Sequence, residues 1–344
     1  MKERLKKTSE KVIARKTSGG YREYRIPGIL CTQDTVFLAY EARAEESGDW
    51  GDIDVIVLRI EQDGTVTELL KIGKSHLPKD GTMRTYNNPT LIPDGKRIHM
   101  IFHTNYENAF ITTSDDCGDT WTDPRDITAA YREAKFDWNV CATGPGHGIQ
   151  MKNGRLVVPI WLANGQVHDD GLTRDHWPSV AGCIYSDDHG NTWHTGMISE
   201  GIHDANETSV TELPNGNLLF NFRNRNENHH RILGLSSDGG ESIEKYWIPD
   251  ALIDPMCFGA VATSPDGYVL FANCNSNEKR VNLTLKASSD AGEHWNIVWE
   301  IDTVSGYADL AVADDKAYVF YERTSYENHM IEELVLAKSD ALCD

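Results

Sequence analysis

The octapeptide Ser-x-Asp-x-Gly-x-x-Trp constrains this chain more than any other feature. It reads Ser114-Asp115-Asp116-Cys117-Gly118-Asp119-Thr120-Trp121, returns at 186–193 and 288–295, and persists at 236–243 with Ile243 in the Trp position. The phrase describes a turn. Asp accepts hydrogen bonds from its own loop, Gly supplies a positive φ, and Trp folds back as an apolar lid. Such a unit tightens a hairpin and performs no chemistry. The copies begin at 114, 186, 236 and 288, and decayed relics stand at Ile60–Gly64 and Lys338–Asp340. A β-type run precedes each of these points: 55–60, 108–113, 182–186, 232–236, 282–288 and 333–339. Six equivalent points at a period of roughly 50 residues predict an all-β chain folded as a six-bladed β-propeller, with one four-stranded sheet per blade. Turn phrases such as Pro214-Asn215-Gly216 and Pro93-Asp94-Gly95 agree. Helix is expected nowhere beyond a turn near 128–135.

A chain of 344 residues ordinarily suggests two domains, but a repeat fold removes that prior. With no linker or low-complexity stretch, residues 1–344 read as one domain, with residues 1–20 as a flexible or extended N-terminal arm. The formal net charge of −20 argues against nucleic acid and anionic membranes as partners. It also means that an anionic ligand needs a local positive well. Seven scattered cysteines suit a reducing compartment. The N-terminus is basic without an apolar core, and no run has the length of a membrane span, so a cytoplasmic protein is expected. The sequons at Asn206 and Asn282 then read as accidental. Thirteen histidines show no ligand spacing, so neither a metal nor a cofactor is expected. The Gly-rich run 142–150 lacks the Lys-Ser/Thr ending of a phosphate loop.

Tyr24-Arg25-Ile26-Pro27, followed by Glu41-Ala42-Arg43 and then GDWGDIDVIVLRI, resembles the N-terminal signature of the sialidase (neuraminidase) superfamily of bacterial and mammalian-cytosolic type. The octapeptides resemble the same family's Asp-boxes, and the resemblance runs through the whole chain. It implies an exo-acting, retaining glycoside hydrolase whose partners are sialylated glycans. Sialic acid carries a carboxylate on its anomeric carbon, and a planar, permanently charged Arg fork matches it better than Lys. Carried over position by position, the resemblance implies that Arg25, Arg223 and Arg280 hold that carboxylate, with Arg225 as the alternative to Arg223. Glu322 would fix Arg25. Arg43 would support the same region.

The resemblance also places the general acid in the loop Glu45–Asp52, on Asp49 with Asp52 as the alternative, and Trp50 would lower the local polarity and raise the acid's pKa. Glu207 and Tyr307 match the base and nucleophile segments. A neutral phenol escapes the repulsion that the substrate carboxylate would exert on an anionic nucleophile. Its ordinary pKa near 10 requires Glu207 to take the proton. Tyr86, Asn87 and Trp161 are candidate substrate contacts, while His147 in the Gly-rich run reads as structural. Hydrolysis and transfer to a sugar hydroxyl are not separated by these motifs, nor is a preference for Kdn. The rival from another class is a non-catalytic propeller that binds acidic glycans or proteins. Loss of one site residue would mark it, yet every position here has an occupant.

Overall fold

The computed structural model describes residues 1–32, 35–44, 48–73, 85–327 and 330–343. Six antiparallel sheets follow one another along these residues as the blades of a propeller. Blade one runs through Glu23–Cys31, Val36–Arg43, Ile53–Ile60 and Val66–Ile72. Blade two comprises Tyr86–Asp94, Arg97–Thr104, Asn108–Ser114 and the short Arg125–Asp126, with Gly146–His147 added in parallel against the first of these. Blade three is built from Val140–Thr143, Leu156–Ala163, Ser179–Ser186 and His194–Ile198. Blades four and five span 208–247 and 260–304. Blade six has Ala308–Ala313, Lys316–Thr324 and Ile331–Ala341, and its outer strand is Lys7–Arg15 from the far end of the chain. Part of the expected N-terminal arm is thus the strand that closes the ring. The expected turn near 128 is the five-residue helix Thr128–Arg132. Met83 and Arg84, at the start of the stretch read as blade two, lie outside the described residues, as do Glu45, Glu46 and Ser47.

The strands carry long buried runs more often than clean alternation. All eight residues of Leu156–Ala163 are buried. A blade is covered on both faces by its neighbours, so both side-chain directions must be apolar. The core is accordingly a series of wedges between blades: Phe37 and Val57 of blade one meet Met100 and Phe102 of blade two, and Tyr40 of blade one meets Phe320 of blade six.

The Asp-boxes bolt these wedges shut. In the first, Asp116 Oδ1 accepts the Thr120 N–H at 2.8 Å, Ser114 Oγ accepts the Gly118 N–H at 2.7 Å, and Trp121 Nε1 donates to the Gly118 carbonyl at 2.9 Å. The boxes at Asp188 and Asp290 repeat the pattern, and Asp238 repeats all of it but the indole. The glycines sit at φ +77° to +95°, and a side chain there would strike the preceding blade. A Cβ on Gly190 would lie 2.9 Å from His99, and one on Gly292 3.0 Å from Leu233. Glycine therefore serves twice, for the turn and for the close approach.

First strands of neighbouring blades contact one another around the axis. Their N-terminal ends share one face with the loops between second and third strands. The Asp-boxes, after the third strands, lie on the opposite face.

Candidate active site

On the axial face the innermost strands deliver Arg25 as the third residue of Glu23–Cys31, and Glu207 and Tyr307 just before Thr208 and Ala308. Arg223 follows the second strand of blade four, while Asp49 and Arg280 come from the second-to-third loops of blades one and five. Residues scattered over some 280 positions of sequence meet because each stands at the same end of its blade, two on blade one, two on blade four and one each on blades five and six.

Tyr307 is the centre. Its hydroxyl donates to Glu207 Oε1 at 2.7 Å and accepts from Arg223 Nη1 at 2.8 Å. Arg223 Nη1 also bonds Glu207 Oε2. The Arg25, Arg280 and Arg223 guanidinium carbons lie 5.1, 5.0 and 6.0 Å from the Tyr307 ring centroid. Burial lifts the phenol above its ordinary pKa, and Glu207 adds to this, against the opposing pull of the three arginines. Tyr307 is therefore a neutral phenol with a carboxylate already on its proton.

Glu322 organises two members of this set. Fully buried, it accepts from Arg25 Nε at 2.9 Å and Nη2 at 3.4 Å, from the Ile26 N–H at 3.1 Å and from the Tyr307 N–H at 2.9 Å. The strand breaks register between Arg25 and Gly28, and Ile26 stands at φ +59°, a strained value for a β-branched residue. The Ile26–Glu322 bond holds that kink, which aims Arg25 at the axis. Gly306 leaves the room: a Cβ there would lie 2.4 Å from Glu322 Oε2.

Asp49 joins the cluster through Arg43 and Arg25. Arg43 Nη2 donates to its Oδ1 at 3.1 Å, Arg25 Nη1 lies 3.9 Å from the same oxygen, and His176 Nδ1 is 3.9 Å from Oδ2. Arg43 is itself buried and anchored to Glu41 at 2.6 Å. Burial alone would raise the Asp49 carboxyl, but Arg43, then Arg25 and His176, outweigh it and hold the group well below the ordinary carboxylate range. This corrects the expectation that Trp50 raises the acid. Trp50 turns instead toward Tyr106 and His176, with ring centroids 4.8 and 6.1 Å away. Asp52, the alternative acid, closes the loop through its carbonyl, which accepts the Ala44 N–H at 2.9 Å.

Other expectations meet the same test. Arg225, the alternative to Arg223, points away, its guanidinium 4.4 Å over the Trp177 ring. Tyr86 and Asn87 do not reach the cluster. Tyr86 is 1% exposed and packs on Phe102 in the wedge between blades one and two, and Asn87 is fully buried with its amide on Asn88. Trp161 stands behind Tyr106 and His176, 3% exposed, and forms no accessible wall. His147 Nδ1 pairs with buried Asp309 at 2.8 Å at the hub, beneath the cluster. Sequence reasoning missed His176 and Trp177: their loop, 164–178, contains no motif, and only a run of polar residues between two buried strands marks it. Among the described residues no group of three His, Cys, Asp or Glu side chains is placed to hold a metal ion, and no helix is long and apolar enough to cross a membrane.

A propeller whose axis gathers a tyrosine–glutamate pair, three arginines and an aspartate defines a class built around an anionic ligand. A family model described as BNR repeat-like domain matches residues 34–320, and the chain belongs to that family, within the sialidase superfamily. Among its relatives are the exo-alpha-sialidase of Arthroderma benhamiae, 25% identical over 79% of this chain and 68% of that protein, and human sialidase-3, 28% identical over 85% and 83%. The Micromonospora viridifaciens sialidase is 26% identical over 88% of the chain, which spans 50% of that protein. The Hadza microbial sialidase Hz136 superposes with a TM-score of 0.74 at 24% identity, over 93% of this chain and 66% of its own. The Trypanosoma rangeli sialidase gives 0.72 at 19%, over 98% and 58%.

Proposed function

We propose that this chain is a retaining exo-α-sialidase that removes terminal sialic acid through a covalent tyrosyl intermediate. The observation that carries the reading is the Tyr307 hydroxyl, donating to Glu207 at 2.7 Å inside a ring of three guanidinium groups. The names of the relatives support the substrate class.

In this reading Arg25, Arg223 and Arg280 seat the anomeric carboxylate. Tyr307 Oη attacks the anomeric carbon as its proton passes to Glu207, while Asp49 protonates the departing oxygen. Water, deprotonated by Asp49, then attacks the same carbon. The tyrosyl bond breaks, Glu207 returns the proton to Tyr307, and the configuration is retained. Asp49 as an acid must be protonated, yet in the free protein Arg43 and Arg25 keep it ionised. The substrate supplies the change. Its carboxylate on Arg25 adds a negative charge near Asp49 and offsets part of the positive field, and both effects raise the aspartate's pKa. The acid is thereby armed by the group that the site recognises.

The test is release of 4-methylumbelliferone from its N-acetylneuraminide by wild type and Tyr307→Phe, with melting curves confirming that both fold. A loss of at least about 10³-fold is expected for the removal of a nucleophile. A Phe variant that retains wild-type turnover removes Tyr307 from the chemistry. A wild type inert toward both this substrate and the Kdn glycoside favours a binding propeller.

A further inference from the structure

The reaction proposed above leaves its departing sugar without a place, and the rim beside Asp49 offers one. Loop 164–178 leaves blade three and reaches back across blade two. Val167 and Arg174 bridge its stem, and Arg174 is paired with Glu107. His176 is packed among Tyr106, Trp161 and Trp50, with its Nδ1 3.9 Å from Asp49. The next residue, Trp177, is 47% exposed. An indole turned to water directly after a packed, half-buried ring needs a cause, and it is not loose. The Arg225 guanidinium lies over it at 4.4 Å. Arg225 is fixed through its own N–H to the His203 carbonyl at 3.0 Å. Asp204 braces both partners, with Oδ1 accepting the Ser179 N–H at 3.1 Å and Oδ2 3.9 Å from Arg225 Nε.

We propose that Trp177 and Arg225 form a leaving-group subsite, a platform for the neutral pyranose attached through the scissile oxygen; this rests on the sialidase reading. That oxygen must lie at Asp49 to receive its proton, so the rest of the leaving group extends outward from there. The wall on that side is the segment that carries His176, and Trp177 is its exposed face. A pyranose presents an apolar C–H face and a rim of hydroxyls, which match an indole plane and a guanidinium fork with donors to spare. The Arg225–Asp204 approach is beyond hydrogen-bond distance and leaves those donors free for hydroxyls.

The experiment compares two substrates that share the sialic acid and differ in what leaves. One is α-sialyl fluoride, whose leaving group is a single atom, and the other is sialyllactose. The readout is the ratio of kcat/KM for sialyllactose to that for the fluoride. In Trp177→Ala the ratio is expected to fall about tenfold, the worth of one aromatic contact, with Trp177→Phe recovering most of it and Arg225→Met giving part of the loss. A ratio within twofold of wild type in all three variants, or an equal fall on both substrates, overturns the subsite while the hydrolase stands. Wild-type protein inert on both substrates overturns the hydrolase reading and the subsite together.

Discussion

Replacing Glu322 with Gln changes one atom's chemistry at nearly constant shape, and the hydrogen bonds around that atom set the cost. The carboxylate has four donors on two oxygens: Arg25 Nε at 2.9 Å and the Ile26 N–H at 3.1 Å on Oε1, the Tyr307 N–H at 2.9 Å and Arg25 Nη2 at 3.4 Å on Oε2. An amide keeps one oxygen and turns the other into an NH₂ group. Whichever way it flips, two of the four donors face another donor. The buried Arg25 also loses its counter-charge. Breaking a buried ion pair from one side costs about 3–5 kcal/mol, in line with two stranded donors at about 1–3 kcal/mol each. Unfolding entropy near 2.1 cal/mol/K per residue gives a 344-residue chain about 0.7 kcal/mol/K. The melting temperature should therefore fall by about 4–7 °C. Arg25 would also lose the fork that aims it, and the value of a charge-assisted hydrogen bond predicts a kcat/KM about 10- to 100-fold lower on the umbelliferyl substrate. Calorimetry and initial rates on one preparation decide the matter. A Glu322→Gln protein that melts and turns over like wild type refutes the claim that this carboxylate positions the site.

Two further perturbations probe the scaffold away from the chemistry. Asp188→Ala removes the acceptor of the Thr192 N–H at 2.8 Å and of the Thr192 hydroxyl at 2.7 Å; a loss of about 2 kcal/mol, or about 3 °C, is expected with KM unchanged, because the box lies on the face opposite the site. A wild-type melting curve would show that the boxes do not secure the blades. Lys286 is 1% exposed, and burial, opposed by Asp254, pushes its pKa from 10.5 down to about 8. A lysine depressed in the folded state binds its proton less readily than in the unfolded chain. Wild-type stability should therefore rise with pH between about 8 and 10.5 and be flat below. Lys286→Met should abolish that rise and lift stability at pH 7 by about 2 kcal/mol, the charge penalty less the bond lost to Asn273 at 3.1 Å. A variant that melts lower at pH 7 and keeps the slope contradicts this.

How far each feature is legible in the sequence depends on the range over which it is determined. An Asp-box is closed by its own side chains within eight residues, so its spelling suffices to place the turns, and their recurrence suffices to place the blades. Arg25, Glu207, Arg223, Arg280, Tyr307 and Glu322 are legible one at a time because each sits in a phrase beside a strand end; their meeting requires the ring. The failures are of a different kind. Tyr86 and Asn87 precede a register shift between Asn87 and Thr90, and no local pattern tells that the Tyr86 side chain turns into the wedge or that the Asn87 amide is taken up by Asn88. The protonation of Asp49 escapes a sequence reading because its nearest neighbour, Trp50, does not decide it. The decision belongs to Arg43, locked on Glu41 within its own strand, and to Arg25 from the strand beside it. Cations within about 4 Å of a carboxylate outweigh the polarity of an adjacent ring, and which charge comes that close is fixed by strand pairing. The same holds for His176, which reaches Asp49 from two blades away. In a propeller the chemistry of one loop is set by its neighbours in the ring, and those neighbours are distant in the chain.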